Sequence, residues 1–415
     1  MKKIAAVIGG GPAGMIAAAR AAESGLTVHL FEKNEKLGKK LFITGKGRCN
    51  ITNAASNDVF FDNIVSNPKF LYSAINTFDC FEAIDFFERL GVKTKIERGN
   101  RVFPASDKAS DVVLALEDYA KKSGVNVNLN ASVKKIIISG SKTVEGILFA
   151  NGRIFDCQSV IVATGGLSYP GTGSTGDGYD FARETGHSVT KLYPSLVPLV
   201  SDDDFINELS GLSLKNVGIT VLVSEKGNKV IYKDFGELLF THFGLSGPII
   251  LSASAYLHGR YNQNPVVSID LKPAISKEEL DKRILKDFEK YSNKDFSNAL
   301  DDLLPGKMID AVIKRSDIPP SKKVHDITKV ERKVLLELLK NFTCRIKGVS
   351  GFNNAVITKG GVSVKDIDPK SMESKIIKGL YFAGEVIDVD GYTGGFNLQI
   401  AFSTGYLAGQ SVSEG

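Results

Sequence analysis

The sequence predicts an α/β protein built on a Rossmann-like nucleotide-binding domain that is split by inserted segments. Three observations predict it. Residues 4–32, IAAVIGGGPAGMIAAARAAESGLTVHLFE, read as strand, glycine-rich turn, alanine-rich helix, second strand and acidic end. Residues 380–399, LYFAGEVIDVDGYTGGFNLQ, offer another strand, turn and helix start. Between them, residues 276–342 switch to apolar positions at helical spacing with charged opposite faces, the mark of a separate element set.

Each part of the first unit has a task in holding a dinucleotide. Gly9 allows the tight turn, Gly11 lets backbone approach a pyrophosphate, and Gly14 lets helix pack closely on strand. Pro12 and Ala13 open a helix whose free N–H groups and positive dipole end face phosphates. Glu32 ends the second strand, where a carboxylate accepts both hydroxyls of an adenosine ribose and repels a 2′-phosphate. The nucleotide expected here is therefore not NADP.

Composition narrows the class. The 415 residues are 43% hydrophobic and 24% charged, as in ordinary globular proteins of two or three domains. The net charge of +5 is small for this length, and lysine pairs are scattered, so no nucleic-acid partner is expected. Four separated cysteines without CxxC spacing give no disulfide scaffold and no metal site, which fits a reducing cytoplasm. Lys2-Lys3 before an apolar run resembles an export signal, but glycines and a proline break that run and the nucleotide fold needs it. No apolar run reaches membrane-spanning length.

Along the chain, helical patterns are expected around 69–90 and 111–123, and an antiparallel meander over 125–162. The hairpin-like ITVLVSEKGNKVIYK follows in a β-rich stretch. The expected domains are a discontinuous nucleotide domain (1–190 and 353–415), a β-rich insert for substrate (191–275 and 343–352) and a helical insert (276–342). At the C-terminal strand end, Glu385 is placed to bond flavin hydroxyl or phosphate oxygens. The helix opened at Gly394-Gly395 would aim Asn397 and the backbone of Leu398 and Gln399 at a flavin ring.

The blocks GGGPAGMIAA, GKKLFITGKGRCNITN, RVFPASDKASDVV, VIVATGGLSYPGTGSTGDGY, FTHFGLSGP, VITKGGV and GEVIDVDGYTGGFNLQIAFSTG run in register from residue 4 to about 410. Together they resemble the BaiN-type NAD(P)/FAD-dependent oxidoreductases, a bacterial flavoprotein family that includes aminoacetone oxidase-like members. The resemblance implies bound FAD on a split, glutathione-reductase-like Rossmann domain. The loop Gly38 to Asn50 would wrap the flavin. Lys33, Lys39 and Arg48 would offer positive charge, and Thr44, Gly45 and Gly47 small close contacts. Lys39 and Lys40 also read as ordinary solvated surface. Cys49 reads either as a flavin attachment or redox thiol, or as a small buried filler. Val133 would lie on the adenine, and Ala163-Thr164-Gly165 would end a strand near the cofactor, as would Gly384.

A second GxGxxG, Gly171 to Gly176, lacks a strand running into it and an acidic strand end after it, so it reads as an ordered loop beside the cleft. The catalytic candidates are His242, Tyr169 and Tyr392 for proton transfer and Arg101 to hold an anionic substrate. The leading reading is an FAD-dependent reductase of a small enone-type or 3-oxo substrate, with NAD(P)H as a transient donor. The alternatives are an oxygen-using amine oxidase and a tRNA-modifying flavoprotein.

Overall fold

Strand β1 (Ile4–Ile8) is buried along most of its length, as a run of small and β-branched residues must be when sheet neighbours lie on both sides. Helix α1 (Pro12–Glu23) follows, then β2 (Thr27–Phe31), a short helix α2 (Lys39–Ile43), β3 (Asn126–Asn128), β4 (Ser159–Val162), α3 (Asp177–Glu184), β5 (Leu380–Phe382) and α4 (Phe396–Ser411). The computed structural model describes residues 3–224 and 228–413. The five strands form one parallel sheet in the order β5-β4-β1-β2-β3, with Val7 opposite both Ile161 and Leu30.

Small residues let two helices stack behind this sheet. An added Cβ at Gly405 would lie 2.5 Å from the Ala13 carbonyl oxygen, and one at Gly409 would lie 2.4 Å from that of Ala17. Both approaches are closer than any larger side chain tolerates, so the glycine spacing in α4 and the alanines of α1 set the distance between the two helices.

Two expectations need correction. The pattern over 69–90 is not one helix: a turn at Phe78-Asp79 splits it, and Asp79 starts a new helix, Cys80–Arg89, with a capping box. Asp79 accepts from the Phe81 and Glu82 N–H groups, while Glu82 accepts from the Asp79 N–H at 2.7 Å. The meander is also shorter than expected. Only 133–138, 144–149 and 154–156 form an antiparallel sheet; the flanking segments join the parallel sheet as β3 and β4.

The chain divides into two compact units, Met1–Ser195 with Phe352–Gly415, and Leu196–Gly351. In the second, a seven-stranded sheet and the helices 277–290, 306–316 and 329–340 share one hydrophobic core. Its long hairpin pairs 213–224 with 228–241; residues 225–227 lie outside the described residues. Ser276 with Glu279, and Thr328 with Glu331, cap two of the helices reciprocally. Among the described residues no helix is long and apolar enough to cross a membrane, and no group of metal-ligating side chains gathers.

Candidate flavin-binding site

The turn after β1 is one that glycine makes possible. Gly9 has φ 107°, and an added Cβ would lie 2.5 Å from the Ala163 carbonyl oxygen. A Cβ on Gly14 would lie 1.9 Å from the Gly9 oxygen, so α1 rests directly on the turn. Gly11 is different. It is the N-cap of α1 in extended conformation, and a Cβ there would meet no protein atom within 4 Å. No side chain caps this helix, so its first N–H groups are left for whatever lies in front of them.

In front of them lies a cleft lined by Gly9 to Ala13 on one side. Phe31, Glu32, Ala131 and Val133 line it further along. Glu32 is buried, and its carboxylate accepts from the Gly10 N–H (2.7 Å), the Asn34 N–H (2.8 Å) and Asn34 Nδ2 (2.6 Å). That uses three of the about four acceptor positions of a carboxylate and leaves one for a hydroxyl.

The second GxGxxG also borders the cleft, through Thr172, Gly173 and Ser174, followed by Asp177. The end of β2 ties it down. Lys33 Nζ donates to Thr175 and, at 2.7 Å, to Asp177, while Asn34 Nδ2 donates to the Thr172 carbonyl at 3.2 Å. Strand β4 stops at Val162, so no strand runs into this loop. Ala163, Thr164 and Gly165 bridge the gap on the lining, and Thr164 Oγ1 is buried there without a hydrogen-bond partner.

Opposite, Gly38, Lys39, Lys40, Leu41 and Thr44 border the cleft. Lys39 Nζ is held by Asn34 (3.3 Å) and Glu35 (3.2 Å). Lys40 Nζ donates to Glu385 Oε2 at 2.6 Å and to Ser168 Oγ at 2.5 Å. Glu385 Oε1 accepts from Ser168 Oγ (2.6 Å) and from the Thr358 N–H (2.9 Å). Sequence reading missed Lys40, Ser168, Thr358, Asn34 and Asp177 as site residues. Lys39 and Lys40 are adjacent, and only the turn of α2 decides which of them faces Glu385.

From the C-terminal block, Gly384, Glu385, Asn397 and Leu398 line the cleft. Asn397 staples the preceding turn, accepting from the Gly391 N–H and donating to the Gly391 and Tyr392 carbonyls. Gln399 is a correction: fully buried, it bonds Thr52, Phe78 and Ser403, and its own N–H is spent on the Gly395 carbonyl. Gly395 sits off the lining with φ 103°, and an added Cβ there would lie 2.3 Å from the Thr52 carbonyl.

The loop Gly45 to Asn50 departs furthest from expectation. Gly45, Gly47, Arg48, Cys49 and Asn50 are all off the lining. Arg48 is clasped by Glu97 and, at 2.6 Å, by Asp107, and it lies 4.1 Å over the Phe103 ring. Cys49 is fully buried, and that burial pushes its thiol up to about 12. Such a thiol is packed and inert, as expected of the filler reading.

None of the four catalytic candidates lines the cleft. Arg101 bonds the Arg98 carbonyl. Tyr169 holds a left-handed φ of 52° in the loop before the second GxGxxG. Tyr392 sits in the turn that Asn397 staples. His242 is exposed in the hairpin turn between 228–241 and 244–246 of the second unit.

Comparison with known proteins places this geometry in a family. The model described as HI0933-like protein Rossmann domain matches residues 3–411. A 3-dehydro-bile acid delta(4,6)-reductase of Clostridium scindens is 31% identical over 412 residues, covering 98% of each chain. A ribosomal RNA dihydrouridine synthase of Haemophilus influenzae is 33% identical over 410 residues, again 98% of each. Among solved structures, a 3-ketosteroid delta1-dehydrogenase from Sterolibacterium denitrificans superposes with a TM-score of 0.55 at 14% identity, covering 100% of both chains, which shows a shared fold. The chain belongs to the HI0933-like, BaiN-type family of FAD-binding Rossmann proteins and is a flavin-dependent oxidoreductase.

Proposed function

We propose that the cleft holds FAD and that the protein is an NAD(P)H-linked reductase of a carbon–carbon double bond conjugated to a carbonyl in a small organic substrate. The observation that carries this reading is the full-length similarity to a bile acid delta(4,6)-reductase, whose name specifies double bonds of that kind.

The cleft suits the cofactor on chemical grounds. Gly11 presents backbone and open space where a pyrophosphate would lie, at an uncapped helix start. Glu32 and Glu385 each keep one acceptor position for ligand hydroxyls, and Val133 gives an apolar wall for the adenine. FAD, when bound, supplies two-electron hydride chemistry. The chain's own residues hold it, set its orientation and shield it from water.

The second GxGxxG borders this same cleft rather than opening a second nucleotide fold. A nicotinamide donor would therefore visit the flavin without a Rossmann domain of its own.

A second reading has its own observation. The similarity to a ribosomal RNA dihydrouridine synthase is equally complete, and the C5=C6 bond of uracil is also conjugated to a carbonyl. The two readings share one reaction and differ in what carries the double bond.

An anaerobic experiment tests both. The flavin band of the purified protein is recorded while NADH and NADPH are added separately, and a 3-oxo-4-ene steroid or unmodified ribosomal RNA is then supplied. Bleaching by a nicotinamide and recovery with the steroid are expected. Recovery with RNA alone selects the second reading. A band that no nicotinamide bleaches, but an amine does, turns the assignment to an oxidase.

A further inference from the structure

We propose that Lys40 is a positioning residue for the bound flavin: its ammonium fixes the Glu385 carboxylate and ties three distant chain segments around the cleft. The inference rests on FAD occupying that cleft.

The three segments meet at one cation. Lys40 comes from α2, Ser168 from the loop after β4, and Glu385 from the loop after β5. Lys40 Nζ lies 2.6 Å from Glu385 and 2.5 Å from Ser168, and both charged side chains are 20% exposed. Thr358 completes the cluster, donating its N–H to Glu385 and accepting from the Leu167 and Ser168 N–H groups at 2.7 and 3.1 Å. An added Cβ at Gly166 would meet Thr358 Oγ1 at 2.5 Å and Glu385 Oε1 at 2.7 Å, so nothing larger than glycine fits beside the cluster.

The other charges of the cleft are committed elsewhere. Lys33 is taken by Thr175 and Asp177, Lys39 by Asn34 and Glu35, and Glu32 by Gly10 and Asn34. The neighbouring Tyr179 hydroxyl is buried and neutral, its ionisation pushed up by that burial and by Glu385. Lys40 is thus the cation that compensates Glu385. Without it, a carboxylate bordering the cleft would face a cofactor that itself carries a charged pyrophosphate. Two like charges near one another at low local dielectric repel, and a carboxylate stripped of its partner also loses its fixed orientation.

This separates a positioning role from a merely structural one. The cost of losing Lys40 should depend on whether residue 385 carries charge. The test follows the rate at which holoenzyme releases FAD on dilution, read as recovered free-flavin fluorescence. Lys40→Met is expected to release FAD about tenfold faster, and Lys40→Arg to restore near wild-type release. In a Glu385→Gln background the same Lys40→Met change is expected to accelerate release by less than about twofold.

Wild-type release from Lys40→Met overturns the proposal, as does an equal acceleration in both backgrounds. Should Lys40→Met purify poorly, Lys40→Gln in the same two backgrounds carries the comparison. Failure of the underlying site is separately visible: a Gly11→Val protein that retains FAD overturns the cleft assignment whatever Lys40 does.

Discussion

Two glycine-rich loops follow the first two strands, and they end in opposite situations. The turn 9–14 leads into an uncapped helix and opens onto the cleft. The loop 44–50 also bends through left-handed conformations, at Gly45, Lys46, Gly47 and Cys49, yet it folds onto its own neighbourhood. Arg48 is held by Glu97 and Asp107, Cys49 is buried, and Thr44 alone reaches the cleft. Glycine and a nearby cation show that a backbone can turn and that charge is present. They do not show which way the loop faces. Direction comes from what lies beyond it: free helical N–H groups in one case, distant carboxylates in the other.

The largest expected effect breaks the open side of that comparison. Gly11→Val places a branched side chain where no protein atom lies within 4 Å, so the chain should fold while the cofactor is displaced. FAD retention is expected to fall about 100-fold, equivalent to about 2.7 kcal/mol, with an unchanged far-ultraviolet dichroism spectrum. Gly14→Val makes the control, because its Cβ would strike the Gly9 carbonyl at 1.9 Å. Loss of stability by about 3 kcal/mol or more is expected there, since neither backbone can yield. A Gly11→Val protein that unfolds, or one that keeps its flavin, would show that the open space has been misread.

These outcomes bear on how far the sequence alone could reach. The parallel sheet and the glycine turn were legible because local pattern dictates them: a buried strand, three spaced glycines, a proline at the helix start and a terminal acid. The C-terminal strand and helix were legible for the same reason. The split of 69–90 into separate helices was available in principle, since Asp79 and Glu82 have capping-box spacing. The fates of Arg48 and Lys40 were not. Arg48 finds Glu97 and Asp107 roughly 50 to 60 residues away, and Lys40 finds Glu385 at a separation of 345. Periodicity has no access to such pairings. Gln399 shows a subtler failure, because its backbone at a helix start was taken to face the ligand, whereas its N–H is already bonded to the Gly395 carbonyl.

A smaller effect sharpens the closed side. Cys49→Ala and Arg48→Ala are both expected to keep wild-type flavin content, with Arg48→Ala lowering thermal stability only slightly because its ion pairs are largely exposed. Burial holds the Cys49 thiol at about 12, and all four cysteines are buried and free. Native protein should therefore take up little iodoacetamide near pH 8, and denaturation should release all flavin without a covalent remnant. Flavin bound covalently to Cys49 would reverse the assignment of this loop.

The smallest effect is a difference in acid sensitivity between the two loops. Arg48, by hydrogen bonding, holds Glu97 below the usual carboxylate range, and Lys95 and then Arg48 do the same for Asp107. A carboxylate depressed in the folded state contributes stability that is present above its unfolded value, about 4, and lost as pH falls through the lower folded value. The clasp on loop 44–50 should therefore loosen only below about pH 4. In the turn 9–14, the Gly9 N–H is held by the Phe31 carbonyl and the Met15 N–H by the Gly11 carbonyl, both at 2.9 Å, and neither acceptor titrates. Hydrogen exchange corrected for intrinsic rates should show loop 44–50 losing protection only as pH falls below about 4, while the Gly9 and Met15 amides keep theirs. Simultaneous loss in both places would mean that the loops open as one cooperative unit. Direction would then be set by the fold around them, and the carboxylates that clasp Arg48 would be dispensable to it.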